Sequence, residues 1–209
     1  EDLIRAGEVV LNGEIVKQMG CKMLIGKDHL SVEGRRVVIS PQQKTEVYAL
    51  YKPKNCITTL NDPQGRVTIN DFFPQTSVRL FPVGRLDYDA EGLILLTNDG
   101  DLAQQLTHPS YGVPKTYNVS IRGKLMPEDI EKLKKGLVLA HRAPRGMKVK
   151  RAHATEVKLL NFGRGGSGDR TNVSITLREG QNREIRRLIA GIGYKVRRLE
   201  RVSIGPLVL

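Results

Sequence analysis

The longest apolar run in this sequence is Gly92-Leu93-Ile94-Leu95-Leu96-Thr97, and its length sets the first limit on the fold. It falls far short of the ~18 residues needed to cross a bilayer, and it has the length of a buried strand. The chain has 209 residues, 39% hydrophobic and 27% charged, the balance of a soluble globular protein with room for one catalytic core and a small accessory domain.

Signals elsewhere lack a βαβ rhythm. Val47 to Lys52 reads as a strand, and Gly100 to His108 as a short helix with Asp99 or Asp101 near its start and Pro109 beyond its end. In Thr116 to Arg122, Tyr117, Val119 and Ile121 alternate with polar residues, the pattern of a half-buried strand. Pro127 to Lys135 is a helix entered by proline and closed by Gly136. Strands follow at Ala154 to Leu160 and Asn172 to Leu177, and Lys195 to Ile204 is extended. Between them, Gln181 to Ile192 places Ile185, Leu188, Ile189 and Ile192 on one helical face. The expected class is α+β, a mainly antiparallel mixed sheet flanked by helices.

The first residues read as a separate unit. Asp2 to Gly7 resembles the last turns of a helix closing on glycine, which suggests a fragment lacking its true N-terminus and any leader. Asn12-Gly13 between two apolar runs signals a tight turn, and a second strand pair is expected around His29 to Ile39. The expected division is a small domain at 1–42, a linker at 43–46 and the main domain at 47–209.

A net charge of +12 points to a polyanionic partner, because each Lys or Arg set on a phosphate releases a counterion. No basic amphipathic helix with aromatic anchors favours a membrane. Cys21 and Cys56 are far apart and read as reduced thiols of an intracellular protein. His29, His108, His141 and His153 form no metal-binding pair, so no metal is expected.

Acidic residues gather just before the apolar strand. Asp87, Asp89 and Glu91 lie between Gly84 and Leu93, and a carboxylate rigidly placed at a buried strand suits a nucleophile or general base. A turn in which Asp caps its own backbone fits the same spacing. On the Gln181 helix, Arg183 and Arg187 lie nearly opposite the apolar face. Arg186 lies at its border, within reach of a half-buried carboxylate; a solvated basic face is the alternative. Gly163 to Gly168 matches a dinucleotide-binding glycine pattern but precedes a strand, so it reads as a hairpin connection.

These residues resemble the RsuA/RluB family of ribosomal RNA pseudouridine synthases. Gly84-Arg85-Leu86-Asp87 followed by Gly92 to Gly100 is similar to that family's catalytic signature, Lys115-Thr116-Tyr117-Asn118-Val119 to its second motif, and Glu179 to Leu188 to its third. The third motif, Asn-Arg-Glu-Ile-Arg-Arg, is nearer the large-subunit branch. Ala90 departs from the threonine common at its position, which removes a local hydrogen bond.

The resemblance implies a pseudouridine synthase catalytic domain preceded by a small ribosomal-protein-like RNA-binding module without its first helix. It implies Asp87 as nucleophile, on base or ribose, Arg186 as its ion-pair partner and Tyr117 stacked on the target base. Arg85 would fill the space left by the flipped uridine, and Leu199 would wall the pocket. Lys115, Arg183 and Arg187, with Arg197, Arg198 and Arg201, would contact phosphates. Nothing is added or lost in the isomerisation, so no cofactor is required. The implied partner is ribosomal RNA, the implied state a monomer, and the default setting the bacterial cytoplasm, or a plastid or mitochondrion if a transit peptide has been removed. A non-catalytic RNA-binding or assembly factor is the main rival, and it would not need Asp87. A methyltransferase would want a cofactor-binding strand–loop–helix unit, and a small-molecule hydrolase would not account for the charge.

Overall fold

The computed structural model describes residues 1–38, 44–73, 78–143, 146–165 and 168–209, with side chains at all of these except 141–143, 146–148 and 164–165. They form two compact units, Glu1–Lys44 and Thr45–Leu209. Of the segment 43–46 expected as a linker, residue 43 lies outside the described residues, as does the centre of the Gly163 to Gly168 run.

The first unit opens with α1 (Asp2–Arg5) and carries a four-stranded sheet of β1 (Val9–Leu11), β2 (Glu14–Ile15), β3 (Leu30–Val32) and β4 (Arg35–Val37) in the order β2-β1-β3-β4. The Asn-Gly turn is a two-residue hairpin: Leu11 faces Glu14, and Asn12 and Gly13 have φ of 52° and 89°. Both signs suit the twist of the flanking strands. Asn12 fixes the loop opposite, donating through Nδ2 to Asp28 and accepting from the His29 amide.

In the second unit, β5 (Val47–Lys52), β6 (Phe81–Pro82) and β7 (Glu91–Thr97) precede α2 (Gly100–Thr107) and β8 (Lys115–Arg122). Then come α3 (Pro127–Lys135), β9 (Leu137–Ala143), β10 (Gly146–Ala152), β11 (Glu156–Gly165), β12 (Gly168–Leu177), α4 (Glu184–Gly191), β13 (Lys195–Ile204) and β14 (Leu207–Val208). The main sheet runs β11-β12-β8-β13-β7-β5, with β6 beside β7 and β14 beside β13. Among the described pairings of this sheet, β13 with β7 is parallel and the others are antiparallel. The fold is α+β.

Strand β7 explains its own composition. Ile94 and Leu96 face one way, into the clusters built on α4 and on Ile69, while Leu93 and Leu95 face the other, against Ala103 and Leu106 of α2. With both faces covered, a period of two cannot show as polar alternation, and the strand reads as a continuous apolar run.

Two expectations are corrected, and one pair of strands is new. The last helix is α4, Glu184–Gly191, rather than 181–192. Arg183 at its N-cap is left-handed (φ 49°, ψ 36°), and the Gln181 amide donates to the Glu184 carboxylate at 2.9 Å, so residues 181–183 form a turn. The β9–β10 hairpin was not anticipated, because Val138 and Val149 are exposed and leave no clear buried face. Finally, β11 and β12 extend well past the apolar stretches that suggested them and pair through Gly165 and Gly168, since backbone pairing does not require buried side chains.

Candidate active site

The loop that carries Asp87 is held from beneath by polar side chains. Thr58 donates to the Leu86 carbonyl at 2.8 Å and accepts from the Leu86 amide at 3.2 Å, so one hydroxyl fixes the residue before Asp87 from both sides. Lys52, fully buried, donates to the carbonyls of Ala90 (2.7 Å) and Pro53 (2.8 Å). Burial pushes this ammonium below the ordinary lysine range, against the pull of Cys56, Asp87, Asp89 and Glu91. At the strand start, burial raises Glu91, but Arg198 at 2.6 Å and Lys54 at 3.4 Å outweigh it and hold the carboxyl below its usual range. The side chain at Ala90 is buried and apolar, so the loop is held through that residue's carbonyl.

Two arginines of the 183–186 stretch meet the acids of this loop. Arg183 Nη1 lies 3.4 Å from both Asp87 Oδ2 and Asp89 Oδ1. Arg186 Nη2 lies 3.0 Å from Asp89 Oδ2, whereas its Nε stands 3.9 Å from Asp87 Oδ2, an ion-pair separation too long for a hydrogen bond. That Nε is buried and without a hydrogen-bond partner among the described residues. The nearer cation to Asp87 is therefore Arg183, which the left-handed turn brings inward, while Arg186 is anchored on Asp89.

A cleft of about 390 Å³ opens beside this cluster, within the ~300–1,000 Å³ range of small-molecule sites. Asp87, Arg85, Lys115, Tyr117, Arg183 and Leu199 all line it. Arg85 is exposed, the Asp87 side chain is 26% exposed, and Leu199 is buried. Tyr117 is half-buried and packs against the main core while also facing the cleft. Arg186 borders the site through Asp87 but is not among the lining residues.

Three arginines depart from the expected phosphate contacts. Arg187 is not on the cleft and donates to the carbonyls of Ala140 (2.6 Å) and Asn182 (3.4 Å), so it ties α4 to β9. Arg198 is occupied by Glu91 and by Glu200 at 3.4 Å. Arg201 is 2% exposed and donates from Nε to the Leu93 carbonyl at 2.6 Å. A signal for Arg201 was present: it stands two residues from Leu199 on the same strand, in phase with the inward side. Glu184 was also overlooked. It is buried at the cleft, and burial pushes its carboxyl up despite the hydrogen bond from the Gln181 amide.

The described residues contain no cluster of His, Cys, Asp and Glu able to hold a metal. No helix among them is long and apolar enough to cross a membrane. What the cleft offers is a partly exposed carboxylate, the arginines Arg85, Arg183 and Arg201, a lysine and a tyrosine. The model of the family described as RNA pseudouridylate synthase matches residues 46–191, most of the second unit. The chain belongs to the RNA pseudouridylate synthase family. It is an isomerase that converts uridine to pseudouridine. The enzyme is 35% identical over 201 residues to ribosomal large subunit pseudouridine synthase B of Bacillus subtilis (strain 168), covering 96% of this chain and 77% of that one. It is 36% identical to the protein of the same name from Escherichia coli O6:H1, covering 100% of this chain and 69% of the relative. Among solved structures, a crystal structure of pseudouridylate synthase superposes on the enzyme with a TM-score of 0.67 at 28% identity, covering 100% of this chain and 82% of that one.

Proposed function

We infer that the enzyme isomerises a uridine of ribosomal RNA, in the large subunit, with Asp87 as the nucleophile. The observation that carries the assignment of Asp87 is its position: a half-exposed carboxylate on the cleft wall, 3.4 Å from Arg183 and 3.9 Å from Arg186. The substrate class rests on the two relatives named as large-subunit synthases.

The chemistry follows from the residues. Asp87 attacks the base or the ribose anomeric carbon, and the bond from N1 to that carbon breaks. The uracil turns and rejoins through carbon 5, which then loses its proton while N1 gains one, so the product is an isomer. Attack at either atom drives negative charge into the uracil ring and its carbonyl oxygens. The target nucleotide must leave the helix stack to reach the cleft, and Arg85 fills the gap, a role supported by its exposure on the cleft. Tyr117, beside Leu199, offers the ring face on which the base stacks. A shift of about 1 Å would bring Arg186 Nε to hydrogen-bond distance of Asp87, and its unpartnered N–H supports such closure on binding.

Lys115 and Arg183 are assigned to RNA phosphates near the cleft. The first unit, with Lys17, Lys22, Lys27, Arg35 and Arg36 exposed, serves as the RNA-binding module. The enzyme acts as a monomer in a bacterial cytoplasm. The test is a map of pseudouridine in ribosomal RNA from cells lacking the enzyme, complemented with wild type or Asp87→Ala. One site lost and restored only by wild type is the expected result. Restoration by Asp87→Ala removes the nucleophile assignment, and an unchanged map removes ribosomal RNA as the substrate.

A further inference from the structure

The cleft becomes more enclosed from Arg85, exposed at the rim, through Asp87 at 26% side-chain exposure, to Arg201 at 2%. Arg201 sits on β13 opposite Tyr117 of β8 and lines the cleft with Leu199 and Lys115. Its Nε is engaged by the Leu93 carbonyl. Its Nη2 is buried and has no hydrogen-bond partner among the described residues. A buried guanidinium nitrogen left without an acceptor is costly, and in a cleft wall the acceptor is supplied by what enters. Lys115 adds a second cation: its Nζ makes one long bond to the Val113 carbonyl, 3.3 Å. Burial first, and then the charge of Arg201, press its ammonium below the ordinary lysine range.

Which group enters is decided by depth. A phosphodiester belongs to a chain that must run in and out of the mouth, whereas a flipped base is a terminal group that can reach the floor. Uracil carries acceptors only at its two carbonyl oxygens among its exocyclic groups, and these take up the negative charge when Asp87 attacks.

We propose that Arg201 Nη2, assisted by Lys115, donates to a carbonyl oxygen of the flipped uracil and stabilises the negative charge that develops there. The inference rests on the pseudouridine reading of this cleft and reassigns Lys115 from the RNA backbone to the base. Donors fixed before the reaction, in a site closed to water, act on the transition state without reorganising. Arg201 is thus a further catalytic residue of the isomerisation, and the Leu93 carbonyl and the Gly92 backbone hold it in place.

The experiment uses the full chain and a short RNA containing the uridine that wild type is first mapped to convert, made with uridine, 2-thiouridine or 4-thiouridine at that position. Sulfur accepts hydrogen bonds poorly, so one thio substitution should slow wild type. Arg201→Met should lower kcat about 10²-fold with RNA affinity little changed, and the same thio substitution should then cost nothing further. Lys115→Met, on the more accessible residue, gives the same comparison should Arg201→Met fold poorly. Native-like circular dichroism with wild-type kcat in Arg201→Met overturns the proposal. So does a thio effect of equal size in wild type and in both variants, the signature of a purely structural arginine. Wild type that converts no uridine refutes the underlying reading, whereas conversion by wild type with these null results refutes only this inference.

Discussion

Replacing Gly92 by alanine tests how β7 and β13 hold the site together. Gly92 has φ of +106°, and its partner on the neighbouring parallel strand β13 is Arg201. An added Cβ would stand 2.7 Å from the Arg201 backbone nitrogen and nearer still to its carbonyl oxygen. Neither atom belongs to a flexible side chain, so the strands must part by roughly 1 Å, a distance set by the carbonyl oxygen, to restore ordinary contact at 3.4 Å. The backbone conformation alone costs alanine about 1–3 kcal/mol, and crowding in a packed interior adds typically about 1–3 kcal/mol. The total of about 2–6 kcal/mol is a large part of the roughly 5–15 kcal/mol that stabilises a domain. Thermal melting followed by circular dichroism is expected to show Tm lowered by at least about 4 °C. Turnover should fall further than RNA affinity, because Asp87 precedes β7 and Arg201 sits on β13. Gly100→Ala is the control, since a Cβ there meets nothing within 4 Å. Gly92→Ala melting within about 0.5 kcal/mol of wild type would refute the close-approach argument.

Two pH experiments address the cleft's buried charges. If Lys115 must be cationic, kcat should decline as pH rises through a pKa lying below the ordinary lysine range; Lys115→Arg should move that decline to higher pH, and an unchanged profile would exclude Lys115 as its source. Glu184 has its folded pKa raised by burial, so the folded state holds its proton more tightly than the unfolded one and stability is lost as pH rises from the unfolded value of 4.5 through the folded pKa. Glu184→Gln should therefore flatten the loss of stability with pH in urea titrations, and a slope identical to wild type would show that another group sets it.

Local chemistry made much of this protein readable from its sequence. The Asn12-Gly13 turn, the Asp99 cap of α2 and the proline entry to α3 are properties of a few adjacent residues and need no tertiary context. Apolar periodicity marked the face of α4, and the unbroken run at 92–97 marked a buried strand. The residues around Asp87, Tyr117 and Arg186 resembled one family closely enough to name the chemistry.

Tertiary structure decided which charges meet. Arg183, Arg186, Arg187, Arg198 and Arg201 look alike as sequence, and a guanidinium reaches far enough that its partner depends on the surrounding packing. The fold turns Arg183 inward through a left-handed residue, spends Arg187 on the Ala140 carbonyl and gives Arg198 to Glu91. It buries Arg201 at the cleft because β13 runs parallel to β7 across Gly92. The sequence by itself determined most of the elements and the class of reaction, and it singled out Asp87 as the candidate nucleophile. The tertiary structure alone decided which cations surround that carboxylate and which line the cleft, because strands distant in sequence share one sheet and the register between them sets which side chains meet.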